Sequence, residues 1–191
     1  MKKFLAISFA LIAMLFVFVA CNKQKEPTTE NKPEGMTMLA SYQLDAEGVD
    51  DYEGYVGVKI TVGNSTLNVT MLGRIGLHMQ RDHELLILDE TKAIVATATL
   101  TARPDAVYKK IVYSKLKGSD TAVLSPGISY YILSKESKGD FWYGEKTTTS
   151  ANPYFSIDGV VMTQDLYDIS FMKNTVNSVL GPVDFVFNVA N

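Results

Sequence analysis

Residues 56–77 alternate apolar and polar side chains, and that period of two admits one kind of local structure. Val56, Val58, Ile60 and Val62 are separated by Gly57, Lys59 and Thr61. Successive side chains of a strand point to opposite faces, so this segment is predicted to have one buried and one wet face. Gly63-Asn64-Ser65 breaks the run. Leu67, Val69, Met71, Ile75 and Leu77 then alternate with Asn68, Thr70, Arg74 and Gly76. The two segments are expected to form a hairpin or to be neighbours in one sheet.

Further strand candidates follow at short intervals, over 85–88, 94–101, 111–116, 128–133, 141–144, 154–157, 160–163 and 183–189. In the last of these, Val183, Phe185, Phe187 and Val189 share a face. Turn chemistry separates the strands at Arg103-Pro104-Asp105, Lys117-Gly118-Ser119-Asp120, Ser125-Pro126-Gly127, Asp158-Gly159 and Gly181-Pro182. Only 165–180 is loosely helix-spaced, through Leu166, Ile169, Met172 and Val176, and it is read as a loop. The fold class expected is all-β, an antiparallel β-sandwich of jelly-roll-like type. With 191 residues there is room for one good core. A net charge of −3 argues against nucleic acid as a partner, because phosphate neutralisation needs Lys and Arg clustered on one face.

The amino terminus reads differently. Lys2 and Lys3 precede an apolar stretch over residues 4–20, the charged and apolar regions of a secretory signal. The stretch ends in Phe18-Val19-Ala20-Cys21, which resembles a lipobox with Phe18 where Leu is usual. By that resemblance to bacterial lipoproteins, the chain is cut before Cys21, whose thiol takes a diacylglyceryl group and whose new amino group is acylated, typically with palmitate. Each buried methylene contributes about 0.8 kcal/mol, so several chains on one residue anchor a protein stably. Cys21 is the single Cys, so no internal disulfide competes for it. A retained transmembrane helix is the alternative, but roughly 17 apolar residues is the lower limit for spanning. Residues 22–37 carry two Pro, no periodicity and almost no apolar mass, the composition of a disordered tether. The expected organisation is a signal peptide over 1–20, an acylated Cys and tether over 21–37, and a β-sandwich domain over 38–191.

Three stretches of the domain carry a second resemblance. They are Gly54-Tyr55-Val56-Gly57-Val58-Lys59-Ile60-Thr61-Val62 with Val69-Thr70-Met71-Leu72-Gly73-Arg74; Leu124-Ser125-Pro126-Gly127-Ile128-Ser129-Tyr130-Tyr131-Ile132 running into Gly139-Asp140-Phe141-Trp142-Tyr143; and Gly181-Pro182-Val183-Asp184-Phe185. In this order they resemble a β-sandwich module that recurs in secreted bacterial proteins, often appended to glycan-processing enzymes. The resemblance implies a non-catalytic accessory or binding module. No enzyme is fused to it here, so an accessory role works through a partner in trans.

No catalytic residue is expected. The two His, His78 and His83, fit no zinc spacing, and a solvated turn near Gln80-Arg81-Asp82 is the plain reading of them. There is no G-x-S-x-G elbow for a Ser nucleophile. The acidic segment 45–53 offers oxygen ligands of the kind Ca²⁺ takes, but it matches no fixed-spacing loop and is read as a solvated acidic loop, with a structural Ca²⁺ as the alternative. Otherwise no cofactor or metal is expected.

Aromatic residues supply the ligand-binding candidates. Neighbours on a strand face opposite ways, so Trp142 cannot share a face with Phe141 and Tyr143, and Tyr130 and Tyr131 divide likewise. Aromatic faces suit the C–H faces of sugars while nearby carboxylates take the hydroxyls. Trp142, Tyr143, Asp140 and Tyr131 are the candidate ligand-binding residues. The function expected is a lipid-anchored, non-catalytic lipoprotein of the cell envelope, periplasmic or surface-facing, whose partners are the bilayer through Cys21 and a captured glycan or other extracellular ligand. The alternative is a structural or assembly lipoprotein that contacts another envelope protein. Asp120-Thr121-Ala122 also resembles the short Asp-Thr-aliphatic site at which some bacteria O-glycosylate exported proteins.

Overall fold

The structure, a computed structural model, describes residues 34–41, 46–50, 52–76, 81–102, 110–144, 152–169, 171–173 and 183–190. Cys21, the apolar stretch over 4–20, His78, and the turns expected at 103–105 and 181–182 lie outside the described residues. No helix among the described residues is long and apolar enough to cross a membrane.

Chain order runs β1 (Met36–Thr37), a 3-10 turn (Met38–Ser41), β2 (Ala46–Asp50), β3 (Gly54–Val62), β4 (Leu67–Gly76), β5 (His83–Leu88), β6 (Ile94–Leu100) and β7 (Lys110–Lys115). Then come β8 (Ala122–Leu124), β9 (Ser129–Glu136), β10 (Asp140–Gly144), β11 (Phe155–Thr163), β12 (Phe171–Lys173) and β13 (Val183–Val189). The fold is all-β and every pairing is antiparallel. One sheet has the order β12-β11-β3-β9-β5-β6; the second runs β1-β13-β4-β7, with β8 also on β4; β2 and β10 form a separate two-stranded ribbon. This is the expected antiparallel β-sandwich. The core between its sheets holds Val58, Ile60, Val62, Ile87 and Ile132 from one side and Leu67, Val69, Leu72, Phe185 and Phe187 from the other.

Several expectations change. First, β3 and β4 are not sheet neighbours: they sit in different sheets, so 63–66 is a corner and not a hairpin turn. Gly63 N donates there to Tyr154 O at 2.7 Å, and Gly127 N donates to Val62 O at 2.9 Å, so backbone from two other loops satisfies the corner. Second, 154–157 and 160–163 are one strand, β11, and Asp158-Gly159 is a register shift against β3 and not a turn. Third, the acidic segment 45–53 is not a solvated loop throughout: it contains β2, which pairs with β10 in the register Val49↔Phe141 and Gly48↔Trp142. Of the stretch read as a loop over 165–180, 171–173 form β12. Met36 and Thr37, expected in the tether, pair with Phe187 and Val186 of β13.

Candidate functional site on the six-stranded sheet

The side chains of Asp140, Trp142 and Tyr143 lie outside what the structure describes; the backbone of β10 pairs with β2 in the register Asp140↔Asp50, Phe141↔Val49, Trp142↔Gly48 and Tyr143↔Glu47. The adjacent tyrosines of β9 divide between the two faces of their sheet. Tyr130 joins the core between the sheets and accepts a hydrogen bond from Ser125 N at its hydroxyl, 3.0 Å. Tyr131 joins a second cluster, with Leu86, Leu88, Leu133 and Val161, on the opposite face of the six-stranded sheet. Both rings are buried.

The wet residues of β3 build this outer face. Lys59 is in register with Tyr131 of β9, and Thr61 with Ser129. Thr61 Oγ1 donates to Asp158 Oδ2 at 2.5 Å and shares a hydrogen bond with Ser129 Oγ at 2.9 Å. Ser156 Oγ donates to Asp158 Oδ1 at 2.8 Å, and Ser129 N donates to Glu90 Oε1 at 3.3 Å. The bulge in β11 makes this possible, because the extra residue, Asp158, falls on the same face as Ser156. Hydroxyls and carboxylates thus form a row across three strands.

Beside that row lies a cationic ring site. Lys92 Nζ is 3.6 Å from the centre of the Tyr131 ring, and Lys59 Nζ is 5.9 Å from it. Such contacts contribute about 0.5–2 kcal/mol depending on desolvation. Lys92 reaches the ring from the β5–β6 turn, where it has φ 70, a left-handed conformation that costs an L-residue about 1–2 kcal/mol. Asp89 holds the turn: its Oδ1 accepts from Thr91 N at 2.8 Å, Thr91 Oγ1 at 2.7 Å and Ala93 N at 3.0 Å. The Thr91 hydroxyl leads the donors that keep the Asp89 carboxyl below the usual range. Tyr131 is thus not a bare stacking surface: the Lys92 ammonium lies over its ring. Tyr167, in the turn after β11, is 90 % exposed. Asp165 Oδ1 fixes that turn by accepting from Tyr167 N at 2.8 Å.

Two buried polar clusters belong to the scaffold. Arg74 on β4 and Glu136 on β9 join the two sheets through Nε–Oε1 at 3.0 Å and Nη2–Oε2 at 2.5 Å, both side chains fully buried. Burial raises the Glu136 carboxyl, but the charge and hydrogen bonds of Arg74 outweigh it and leave the group below its usual range. His83, expected in a solvated turn, is instead 1 % exposed at the start of β5, with Nδ1 3.0 Å from Lys135 O. Its neighbours Arg81 and Asp82 are exposed, and the chain turns inward at His83 to enter the sheet. The second cluster is Asp184, which accepts from Tyr113 Oη and from Phe185 N, each at 2.7 Å, and from Leu39 N at 3.2 Å.

Elsewhere an open groove of about 800 Å³ crosses the outside of the other sheet, lined by Thr70, Met71, Lys115, Asp120 and Asn188; of these only Asp120, in the Asp120-Thr121-Ala122 tripeptide, belongs to a sequence-predicted site. No three metal-ligating side chains converge among the described residues. Sequence reasoning reached Tyr131 and missed Thr61, Ser129, Asp158, Lys59 and Lys92. The polar half of the β3 alternation was the signal for Thr61 and Lys59. The row presents donors and acceptors at fixed spacing beside two ammonium groups, an arrangement suited to hydroxylated and anionic ligands. Comparison with protein-family models, curated proteins and solved structures finds no match.

Proposed function

We propose that this chain is an exported lipoprotein, acylated at Cys21 and held at a membrane of the cell envelope, whose β-sandwich captures glycan without catalysing a reaction. The lipobox-like Phe18-Val19-Ala20-Cys21 behind an apolar stretch supports the anchor. One observation carries the binding reading: the Thr61, Ser129, Ser156 and Asp158 row on the outer face of the six-stranded sheet, with Thr61 and Ser129 two positions along β3 and β9 from the Lys59–Tyr131 pair. Hydroxyls and carboxylates there complement sugar hydroxyls, which both donate and accept. Strand β10 also carries Asp140 and Trp142 two positions apart in sequence, the aromatic and acidic residue types that sugars use. The likeness to sandwich modules appended to glycan-processing enzymes favours the same class of ligand.

Binding of the full-length protein, purified in detergent, to a glycan array tests this reading. A set of related glycans should be retained, and Asp158→Ala should reduce that retention at least tenfold. Retention of no glycan would move the chain to the structural lipoprotein class.

A further inference from the structure

We infer that the glycan captured is acidic, and that Lys92 and Lys59, gathered around Tyr131, bind the carboxylate of a uronic acid. This rests on the glycan-capture reading and adds the charge of the ligand. Both ammonium groups lie within 6 Å of one ring centre, on the outer face of the sheet. A single carboxylate has two oxygens to offer them. Among the described residues no carboxylate forms an ion pair with Lys92. The nearby carboxylates have other partners: Asp89 is engaged by its own turn, Glu90 accepts from Ser129 N, and Asp158 accepts two hydroxyls.

The position of Lys92 is the second observation. A left-handed turn residue is ordinarily Gly, because Gly meets no steric penalty there. A Lys in that conformation places its ammonium over the Tyr131 ring, so Tyr131 acts as a positioning residue for the cation. The Thr61–Ser129 pair lies two residues farther along β3 and β9, about 7 Å away. Carboxylate and sugar hydroxyls of one acidic residue therefore find partners on one stretch of the face. Asp89, Glu90 and Asp158 set three carboxylates around the two ammonium groups, which disfavours a dense polyanion relative to a singly charged group among hydroxyls.

The test uses full-length protein in detergent micelles with polygalacturonate and alginate, each as free acid and as methyl ester, and dextran sulfate as a plain polyanion. Wild type should bind at least one free acid at least tenfold more tightly than its ester and more tightly than dextran sulfate. Lys92→Gly suits the left-handed turn, so its melting temperature should hold while the preference for the free acid disappears. Equal binding of acid and ester by wild type would overturn the inference and leave glycan capture standing. Dextran sulfate bound as tightly as the acids, or a Lys92→Gly variant with unchanged preference, would also overturn it. Absence of binding to these polymers and to every glycan of the array would overturn both readings.

Discussion

The Tyr113 hydroxyl donates to Asp184 Oδ2 at 2.7 Å across a glycine, Gly73, which stands between them in register on β4. A Cβ at Gly73 would lie 2.6 Å from Cδ1 of the Tyr113 ring, closer than such atoms approach. The glycine therefore leaves the space through which the ring reaches the carboxylate. Gly73→Ala should displace Tyr113 and destabilise the domain by about 1–3 kcal/mol, the usual cost of overpacking. Tyr113→Phe should cost about 1–3 kcal/mol by removing a donor from a buried acceptor. Urea unfolding followed by fluorescence measures both.

Asp184 gives stability a pH dependence of definite sign. Burial pushes its carboxyl up to about 7 from an ordinary 3.8, although its hydrogen bonds pull the other way. A carboxyl raised on folding contributes stability that is fully present below its unfolded value and is lost as pH rises through its folded value. Wild-type stability should therefore fall between about pH 4 and pH 7, by up to a few kcal/mol. Asp184→Asn should flatten that fall, and because both His remain in the variant, the difference between the two curves isolates Asp184. Parallel curves would show that the carboxyl stays ionised throughout this range.

The buried pair Arg74–Glu136 should behave as one unit. Losing either partner strands a charge between the sheets, and Glu136→Leu or Arg74→Met alone should cost about 3–5 kcal/mol. The double variant should be clearly more stable than the sum of the two single losses predicts. A double-mutant cycle in urea checks this, and additive losses would contradict it.

Strand positions were legible because a period of two survives in sequence where one face is wet, as in 56–62, and in 183–189 the spacing of Val183, Phe185, Phe187 and Val189 marked the strand although Asp184 and Val186 on its other face are buried too. Sheet membership was not, because the alternation in β3 and β4 says which face is buried and not which sheet each strand joins. Asp158-Gly159 misled because the residues that favour a turn also favour a bulge. Strand β2 was hidden by its acidic composition, and its pairing with β10 comes from a segment about ninety positions away. The same distance problem hid Lys92 over Tyr131: nothing local to residue 92 names its ring, and a left-handed backbone at a Lys has no signature in sequence.

Thr121 is exposed in the loop before β8, where Ser119 Oγ accepts from Thr121 N at 3.2 Å and donates to Thr121 O at 2.8 Å. Its surface position suits O-glycosylation at Asp120-Thr121-Ala122. The intact mass of native protein should exceed that of the acylated polypeptide by a glycan, and Thr121→Ala should remove the excess. A native mass equal to the acylated polypeptide alone would contradict this.

The anchor is checked separately from the ligand. Cys21→Ser should abolish metabolic labelling with palmitate and leave uncleaved precursor or protein free of membranes. A Ser variant that is cleaved and still partitions with membranes would rule out acylation at that residue as the anchor.

Glycan capture on the outer face of the six-stranded sheet is tested most directly by array binding of full-length wild type beside Asp158→Ala and Trp142→Ala. Asp158 is only partly buried, so its loss should move the melting temperature little. The expected result is retention of a related set of glycans by wild type, weakened at least tenfold by Asp158→Ala and also reduced by Trp142→Ala, with melting temperatures near wild type. Glycan retention unchanged in both variants, or absent from wild type, would contradict it.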